Sequence, residues 1–174
     1  MKIIETVFDK CFVIEPGVRE DLRGKMEVLY DNRELKDLLG GFEISEQRIY
    51  RMPCKHTFFG IHSQIIGRGK LISVVQGKAL DYIVDLRPDS ETYKAYKMIE
   101  LDADIPRLVF IATGFGHGFL SLTDNTIQSF AVDGSSSKGG APVVSYRDPS
   151  INLKLPCVDL ILSDYDMNAA PLNP

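Results

Sequence analysis

The stretch "KLISVVQGKALDYIVDLR", residues 70–87, decides the fold class. Two runs rich in Val, Ile and Leu flank the tripeptide "QGK", and this composition favours two β-strands. We interpret Gln76–Lys78 as a hairpin turn between them. Similar apolar runs bounded by Gly, Pro, Asp or Asn recur on both sides, in "CFVIEPGV", "GKMEVLYD", "FEISEQRIYR", "YKMIELD", "RLVFIATGFGHGFLSLTD" and "NTIQSFAVDG". Short strands at such regular spacing predict a sandwich or a barrel.

One segment has the pattern of a helix. In "DNRELKDLLGG", residues 31–41, Asp31 or Asn32 can cap the amino end, three leucines form an apolar stripe, and a glycine ends the helix. We therefore expect an all-β fold, a cupin-like jelly-roll barrel with one or two short helices, in a single domain over residues 1–174. The broad mouth of such a barrel would hold a small-molecule ligand among inward-facing side chains.

The charge balance and the cysteine usage exclude several classes of function. The chain of 174 residues carries a net charge of −4 without any basic block, which argues against a nucleic-acid-binding surface. The opening segment "KIIETVFDKCFVIEP" is too polar for a signal peptide or a membrane span. Three widely spaced cysteines form neither a CxxC pair nor a disulfide framework. We expect a cytoplasmic protein without nucleic-acid or membrane partners.

The stretch "HTFFGIHSQIIGRGKL", residues 56–71, carries the first candidate for chemistry, His62. In a strand, His62 and Gln64 point to the same face, because side chains alternate with a period of two. Two polar groups that face a sheet interior need hydrogen-bonding partners or cost free energy. His62 is therefore either a satisfied interior residue or a general base oriented by a carboxylate, and both interpretations stay open.

Other polar residues have two interpretations as well. His117 lies in "TGFGHGFLSL", where glycines let the backbone approach a ligand closely, and this favours a site slightly over an incidental turn. Lys70 would place an ammonium over an anionic intermediate or a phosphate, and Arg23 would grip a phosphate, although spacing alone favours a surface position for both. Asp85, on an otherwise apolar strand, needs a partner such as Arg87 if it is buried.

The sequence argues against a metal centre. A metal-binding cupin usually offers two histidines two residues apart on one strand, followed by a carboxylate. The second of these positions is Gln64 in this chain, and an amide is a weaker ligand for transition metals. We therefore expect metal-free chemistry. Asp164 and Asp166, in "LSDYD", either orient an imidazole or solvate the tail.

Six motifs, taken in order, resemble one known family. They are "FFGIHSQ", "GKL", "DYIVDLRPDSETY", "LVFIATGFGHGF", "YRDP" and "LSDYD…PL". The ordered set, from about Arg19 to the carboxyl terminus, resembles the dTDP-4-dehydrorhamnose 3,5-epimerase family. The resemblance implies a cupin-like jelly roll, a homodimer, and catalysis without a metal or an organic cofactor. It further implies a nucleotide-linked 4-keto-6-deoxy sugar, most simply a dTDP-linked one, that is inverted at C3 and/or C5 through an enolate in deoxysugar biosynthesis.

The resemblance also assigns roles to individual residues. It implies that His62 is the general base, that Asp166 is its carboxylate partner, and that Lys70 stabilises the enolate oxygen. The residues that it places along the substrate and its phosphates are Arg23, Gln47, Phe59, Gln64, His117 and Phe130.

Several positions depart from the pattern of that family. Phe130 stands thirteen residues after His117, where the family commonly has a tyrosine that donates the proton on the opposite face of the sugar. A phenyl ring has no such proton to give. Phe59 replaces an arginine, Ile49 an asparagine and Met26 a phenylalanine. The predicted pocket is therefore more apolar and less cationic than the usual one.

These departures leave three alternatives for the function. The first is an epimerase that inverts one centre or takes its proton from water or from another side chain, such as Tyr146. The second is a nucleotide-sugar 3,4-ketoisomerase, which also begins by removing the C3 proton. The third is a non-catalytic nucleotide-sugar-binding protein that keeps the barrel.

Overall fold

The computed structural model describes residues 1–63, 67–134 and 141–172, which form thirteen strands and two short helices. The strands are β1 (Lys2–Phe8), β2 (Cys11–Glu15), β3 (Gly17–Asp21), β4 (Gly24–Val28), β5 (Glu46–Met52), β6 (Phe58–Ser63), β7 (Gly69–Gln76), β8 (Lys78–Asp85), β9 (Tyr96–Asp102), β10 (Leu108–Ala112), β11 (Phe115–Ser121), β12 (Thr126–Val132) and β13 (Val143–Val144), and the helices are α1 (Asn32–Leu38) and α2 (Asp164–Met167). Within these ranges, no helix has the length and apolar character needed to cross a membrane. The single domain over residues 1–174 stays a prediction.

Two antiparallel sheets make up the barrel. The first has six strands in the order β1-β2-β10-β7-β12-β5, and the second has five in the order β13-β6-β11-β8-β9. Strands that follow one another along the chain, such as β10, β11 and β12, alternate between the two sheets, as they do in a jelly roll. β3 and β4 form a separate two-stranded hairpin. The predicted all-β, cupin-like jelly roll with short helices is confirmed.

The predicted hairpin at Gln76–Lys78 is wrong. β7 pairs with β10 and β12, whereas β8 pairs with β11 and β9, so the two strands lie in different sheets. Gly77 has a φ of 79°, a left-handed conformation that glycine adopts without steric cost. A Cβ at Gly77 would also lie 2.4 Å from Thr123 Oγ1. Gly77 is therefore a corner at which the chain passes from one sheet to the other.

The predicted helix is confirmed as α1. The carboxylate of Asp31 caps it by accepting a hydrogen bond from the backbone N–H of Arg33 at 2.9 Å. Leu35 and Phe42 are fully buried, and the Phe42 ring packs edge-on against Phe110 with 5.1 Å between centroids. These contacts fix the helical segment to strand β10 of the six-stranded sheet.

The side chains of the five-stranded sheet divide between its two faces. Ile83 and Phe119 belong to the largest core cluster, together with residues of the facing sheet such as Ile72. Their neighbours in sequence pack in a second cluster behind the sheet, against leucines of the C-terminal segment. Because alternate residues of a strand share a face, Asp81 and His117 point toward the barrel interior with Ile83 and Phe119.

Asp85 is buried at the end of β8 and has the partner that the sequence predicts. Arg87 Nη2 lies 2.8 Å from Asp85 Oδ2, and the hydroxyls of Ser90 and Thr92 each donate to the same oxygen at 2.6 Å. Burial opposes the ionisation of Asp85, but these hydrogen bonds outweigh it and lower the pKa of the carboxyl. The cluster fixes the loop that follows β8.

Candidate active site

A β-bulge in strand β6 brings two side chains to the barrel interior that simple alternation would separate. His62 lies opposite His117, and Phe59 lies opposite Phe119, so three steps along β6 match two steps along β11. Ile61, between Phe59 and His62, packs in a cluster behind the sheet. The bulge therefore places both Phe59 and His62 on the interior face.

His62 forms a pair with the carboxylate that the sequence predicts as its partner. His62 Nε2 lies 2.7 Å from Asp166 Oδ1. The same oxygen accepts the backbone N–H of Gly60 at 3.1 Å, and Asp166 Oδ2 accepts the hydroxyl of Ser163 at 2.6 Å. Burial opposes the ionisation of Asp166, but the bonds from His62 and Ser163 outweigh it and lower the pKa of the carboxyl. The carboxylate is thereby held ionised beside the imidazole.

The start of helix α2 positions Asp166. Ser163 is the N-cap, and its hydroxyl accepts the backbone N–H of Asp166 at 3.1 Å while it donates to the Asp166 carboxylate. Asp166 is only 3% exposed. An Asp166 carboxylate that accepts from His62 Nε2 leaves Nδ1 with the lone pair, and no described residue hydrogen-bonds to that nitrogen. The ring is therefore oriented for taking up a proton at Nδ1.

We expect a Gly60→Ala substitution to disturb this pair without removing any of its polar groups. The added Cβ would lie 2.6 Å from Asp166 Oδ1, so the carboxylate must move. Overpacking of this kind costs about 1–3 kcal/mol. We expect the free energy of unfolding in urea to fall by that amount, and the nitrogen chemical shifts of the His62 ring to change.

Gly118→Ala is the matched control for that prediction. Gly118 lies on the adjacent strand β11, and its added Cβ would meet the ring of Phe58 at 3.4 Å, an ordinary contact. The control is expected to leave the free energy of unfolding within about 0.5 kcal/mol of the original. Equal losses in the two variants would contradict a specific role of Gly60.

A second histidine–carboxylate pair lies beside the first. His117 Nε2 hydrogen-bonds to Asp81 Oδ1 on the neighbouring strand. Asp81 is fully buried, and its other oxygen, Oδ2, has no hydrogen-bond partner among the described residues. Burial lowers the pKa of His117, and the positive charge of Lys70 lowers it further, whereas Asp81 raises it. The net effect favours a neutral His117.

Lys70 reaches this group from the facing sheet. It lies on β7, is 7% exposed, and interacts electrostatically with Asp81 and His117. Burial lowers the pKa of Lys70 to about 8, and the attraction of Asp81 offsets part of that effect. A cation in such a dry interior interacts more strongly with a nearby anion than it would in water. Lys70 is therefore suited to stabilise negative charge that develops between the sheets.

The two phenylalanines that depart from the family pattern meet at a third ring. The Tyr50 ring lies 4.6 Å from the Phe59 ring and 6.1 Å from the Phe130 ring, centroid to centroid. The guanidinium of Arg48 lies 5.8 Å from the centroid of Phe130. These four residues come from three strands, β5, β6 and β12, and form one aromatic group that we call the Tyr50 cluster.

Three residues that the sequence predicts at the substrate make no described contact with the Tyr50 cluster. The amide of Gln47 donates to Ser129 Oγ at 2.9 Å, on the sheet face opposite Phe130. Arg23 lies at the tip of the β3–β4 hairpin with its side chain 89% exposed, and its guanidinium pairs with Asp21. Gln64 lies outside the described residues. Their substrate contacts stay predictions.

A group of potential metal ligands lies away from the two histidine–carboxylate pairs. His56, Cys157 and Asp159 bring one donor atom each to within 4.8 Å of one another. His56 Nδ1 is 3.1 Å from Asp159 Oδ2, so an ion pair accounts for part of this grouping. Neither His62 nor His117 belongs to it. The expectation of metal-free chemistry at His62 stays a prediction.

Sequence reasoning gave no role to three residues of this region. Asp81 is the partner of His117, and its place as a single charge within the apolar run that ends at Asp85 was the available signal. Ser163 precedes Asp166 by three residues, the spacing of a helix-capping pair, which the sequence displays. Tyr50 had no signal, because its contacts with Phe59 depend on how the two sheets meet.

The fold is a cupin-like jelly roll, and the inward-facing groups form a candidate acid–base site in its barrel. A profile of the dTDP-4-dehydrorhamnose 3,5-epimerase family matches residues 5–174. The chain belongs to that family, and it is accordingly an isomerase.

Individual relatives agree with this assignment. The chain is similar to dTDP-4-dehydrorhamnose 3,5-epimerase of Methanothermobacter thermautotrophicus, with 31% identity over 176 residues that cover 98% of this chain and 94% of the relative. A crystal structure of the Bacillus anthracis enzyme of the same name, with TDP and PPi bound, has a TM-score of 0.92 and 33% identity over 98% of this chain and 99% of its own. A 3′-monoepimerase from Streptomyces bikiniensis, in complex with dTDP-quinovose, has a TM-score of 0.86 and 26% identity over 93% and 83%.

Proposed function

We propose that the chain is a cofactor-independent epimerase of a dTDP-linked 4-keto-6-deoxy sugar, in deoxysugar biosynthesis. The observation that carries the proposal is the His62–Asp166 pair at 2.7 Å, placed on the interior face of one sheet while the buried Lys70 comes from the other. Relatives that act on such sugars, and solved structures with TDP or a dTDP-sugar bound, support the substrate class.

The proposed reaction uses these groups in a single sequence. The C4 carbonyl acidifies the neighbouring C–H bonds, and His62 removes the proton at C3 and/or C5. Asp166 stabilises the imidazolium that forms, as the carboxylate of a protease triad does. The ammonium of Lys70 stabilises the enolate oxygen at C4. Protonation of the enolate carbon from the opposite face inverts the centre.

The proposal also covers the assembly and the location of the chain. A homodimer follows from the resemblance, and the exposed β3–β4 hairpin with Arg23 is a surface available to a second copy. Light scattering of the purified chain tests this part, and a monomer at micromolar concentration would contradict it. A cytoplasmic location is likewise part of the proposal, in keeping with a nucleotide-sugar substrate.

Solvent deuterium incorporation tests the proposed function. We would incubate the protein with dTDP-4-keto-6-deoxyglucose in heavy water and locate the exchanged positions by NMR, with a protein-free sample as control. Exchange at C3 or C5 that depends on the protein is the expected result. The absence of exchange with dTDP-, GDP- and UDP-linked 4-keto sugars would overturn the proposal.

The same experiment separates the two alternatives. A product with its carbonyl at C3 would identify a 3,4-ketoisomerase. Tight binding of the nucleotide sugar without exchange at any carbon would identify a binding protein. The family profile and the relatives named above favour neither of these alternatives over epimerisation.

A further inference from the structure

The two substitutions that make the site unusual, Phe59 and Phe130, lie close together in the structure. Phe130 and Phe59 are far apart in sequence, yet both rings contact the ring of Tyr50. Phe130 stands where the family commonly places its proton donor. The position that lost the hydroxyl is therefore in direct contact with a residue that has one.

Tyr50 lies on the side of the barrel that a proton donor must occupy. An epimerase base and its acid act on opposite faces of the sugar, so they need to come from opposite walls of the site. His62 belongs to β6 of the five-stranded sheet, whereas Tyr50 belongs to β5, which pairs with β12 of the six-stranded sheet. Tyr50 lies opposite Gln128, two residues before Phe130, and therefore on the same sheet face as Phe130.

The other tyrosines near the base do not meet this condition. The Tyr165 ring lies 6.0 Å from the His62 ring, on the helix that carries Asp166, and so stands on the side of the base. Tyr146, which the sequence suggests as a substitute acid, packs against Phe58 at 5.6 Å in the cluster behind the five-stranded sheet. Neither of them faces His62 from the other wall.

We propose that Tyr50 is the proton donor that replaces the tyrosine lost at Phe130. The inference rests on the proposed epimerisation. In the step, the C–H electron pair stays on the sugar as the enolate while His62 takes the proton. The Tyr50 O–H then gives its proton to the enolate carbon on the opposite face, and a new C–H bond forms. The phenolate regains a proton from water, which reaches this side chain because it is 44% exposed, and His62 loses its proton to water.

One charged side chain, Arg48, lies near the proposed donor on the same strand. Arg48 and Tyr50 are two residues apart on β5, so their side chains share a face. The guanidinium also lies over the ring of Phe130 at 5.8 Å from its centroid. The Arg48 guanidinium also pairs with the carboxylate of Glu46 on that face, so the proposed donor lies in a polar part of the β5 edge.

Tyr50→Phe tests the proposal through two readouts in one sample. We expect inversion of the proposed substrate in heavy water to fall by about 10²-fold or more, because a general acid contributes on that order. Deuterium exchange with retained configuration is expected to persist, because His62 still removes and returns the proton on its own face. The ratio of exchange to inversion should therefore rise, and with an unchanged exchange rate it rises by the same factor as inversion falls.

Two further variants complete the test. Tyr50→Phe combined with Phe130→Tyr is expected to regain inversion, since the hydroxyl returns to the usual position on the same wall. Tyr146→Phe is the matched control, because its ring packs behind the five-stranded sheet, and it should invert at the original rate. Inversion by Tyr50→Phe within about two-fold of the unsubstituted protein would overturn the proposal, while exchange remains as proof of the epimerase. If the unsubstituted protein shows no exchange, the proposed function fails, and this inference fails with it.

Discussion

A His62→Asn variant is expected to lose deuterium exchange at C3 and C5 of the dTDP-4-keto sugar by about 10²–10⁴-fold, the contribution of a positioned general base. An amide fills much of the imidazole volume and can still hydrogen-bond to Asp166, so the barrel should stay folded. It cannot accept the sugar proton at neutral pH. Initial rates from proton NMR in heavy water give the measurement.

Two controls make that result specific to the reaction. His56→Asn changes the histidine that pairs with Asp159 outside the candidate site, and it should exchange at the original rate. Calorimetric titration with dTDP should give similar affinities for His62→Asn and the unsubstituted protein, since His62 is assigned to the sugar carbon and not to the nucleotide. Exchange that survives in His62→Asn would assign the base elsewhere, with His117 as the nearest imidazole.

The two histidines inside the barrel differ in their surroundings, and the difference favours His62 as the base. His117 is 8% exposed and hydrogen-bonded to a fully buried Asp81, while burial lowers its pKa. Such a ring is suited to orient a ligand by a hydrogen bond. His62 is more exposed, with a side chain at 27%, and its carboxylate leaves one ring nitrogen toward the barrel. Proton transfer with solvent, which deuterium exchange requires, is easier at His62.

Much of the fold was predictable because it depends on local composition. The strands β7, β8, β9 and β12 match the apolar runs quoted from the sequence, and the cap of α1 is Asp31, one of the two residues that the sequence offers. The pairing of β7 with β8 was predicted wrongly. The turn at Gly77 looks the same whether two strands form a hairpin or pass to different sheets, because both arrangements need a left-handed glycine between apolar runs. Strand β1 carried no clear signal because most of its side chains are exposed.

The candidate site was predictable only in part, for a related physical reason. The polar residues His62, Asp166 and Lys70 follow from the resemblance, and the contact between His62 and Asp166 agrees with it. The position of Phe59 beside them does not follow from a period of two, since an unpaired residue in β6 shifts the register. Tyr50 came from outside every motif, because a contact across strands leaves no trace in the spacing of residues along one strand.

Lys70→Met is expected to slow epimerisation by about 10²–10³-fold, the loss typical of removing one preorganised partner of a developing oxyanion. Methionine keeps the unbranched shape and removes the charge, so the interior stays filled. Because the ammonium is assigned to the enolate and not to the ground state, kcat should fall much more than the affinity for the nucleotide sugar. A rise in KM with kcat unchanged would contradict that assignment.

The pH dependence of Lys70 gives an independent check, because one titration should affect rate and stability in opposite directions. Burial lowers the pKa of Lys70 from 10.5 to about 8, so the amine becomes neutral as the pH rises above about 8 and kcat/KM should fall. In the same window the unfolded chain still binds this proton and the folded chain does not, so the free energy of unfolding should rise with pH. Lys70→Arg, whose guanidinium stays charged, should keep kcat/KM level at pH 8 to 10 and lose the rise in stability. If kcat/KM falls in the same way above pH 8 in Lys70→Arg and in the unsubstituted protein, another group controls the rate.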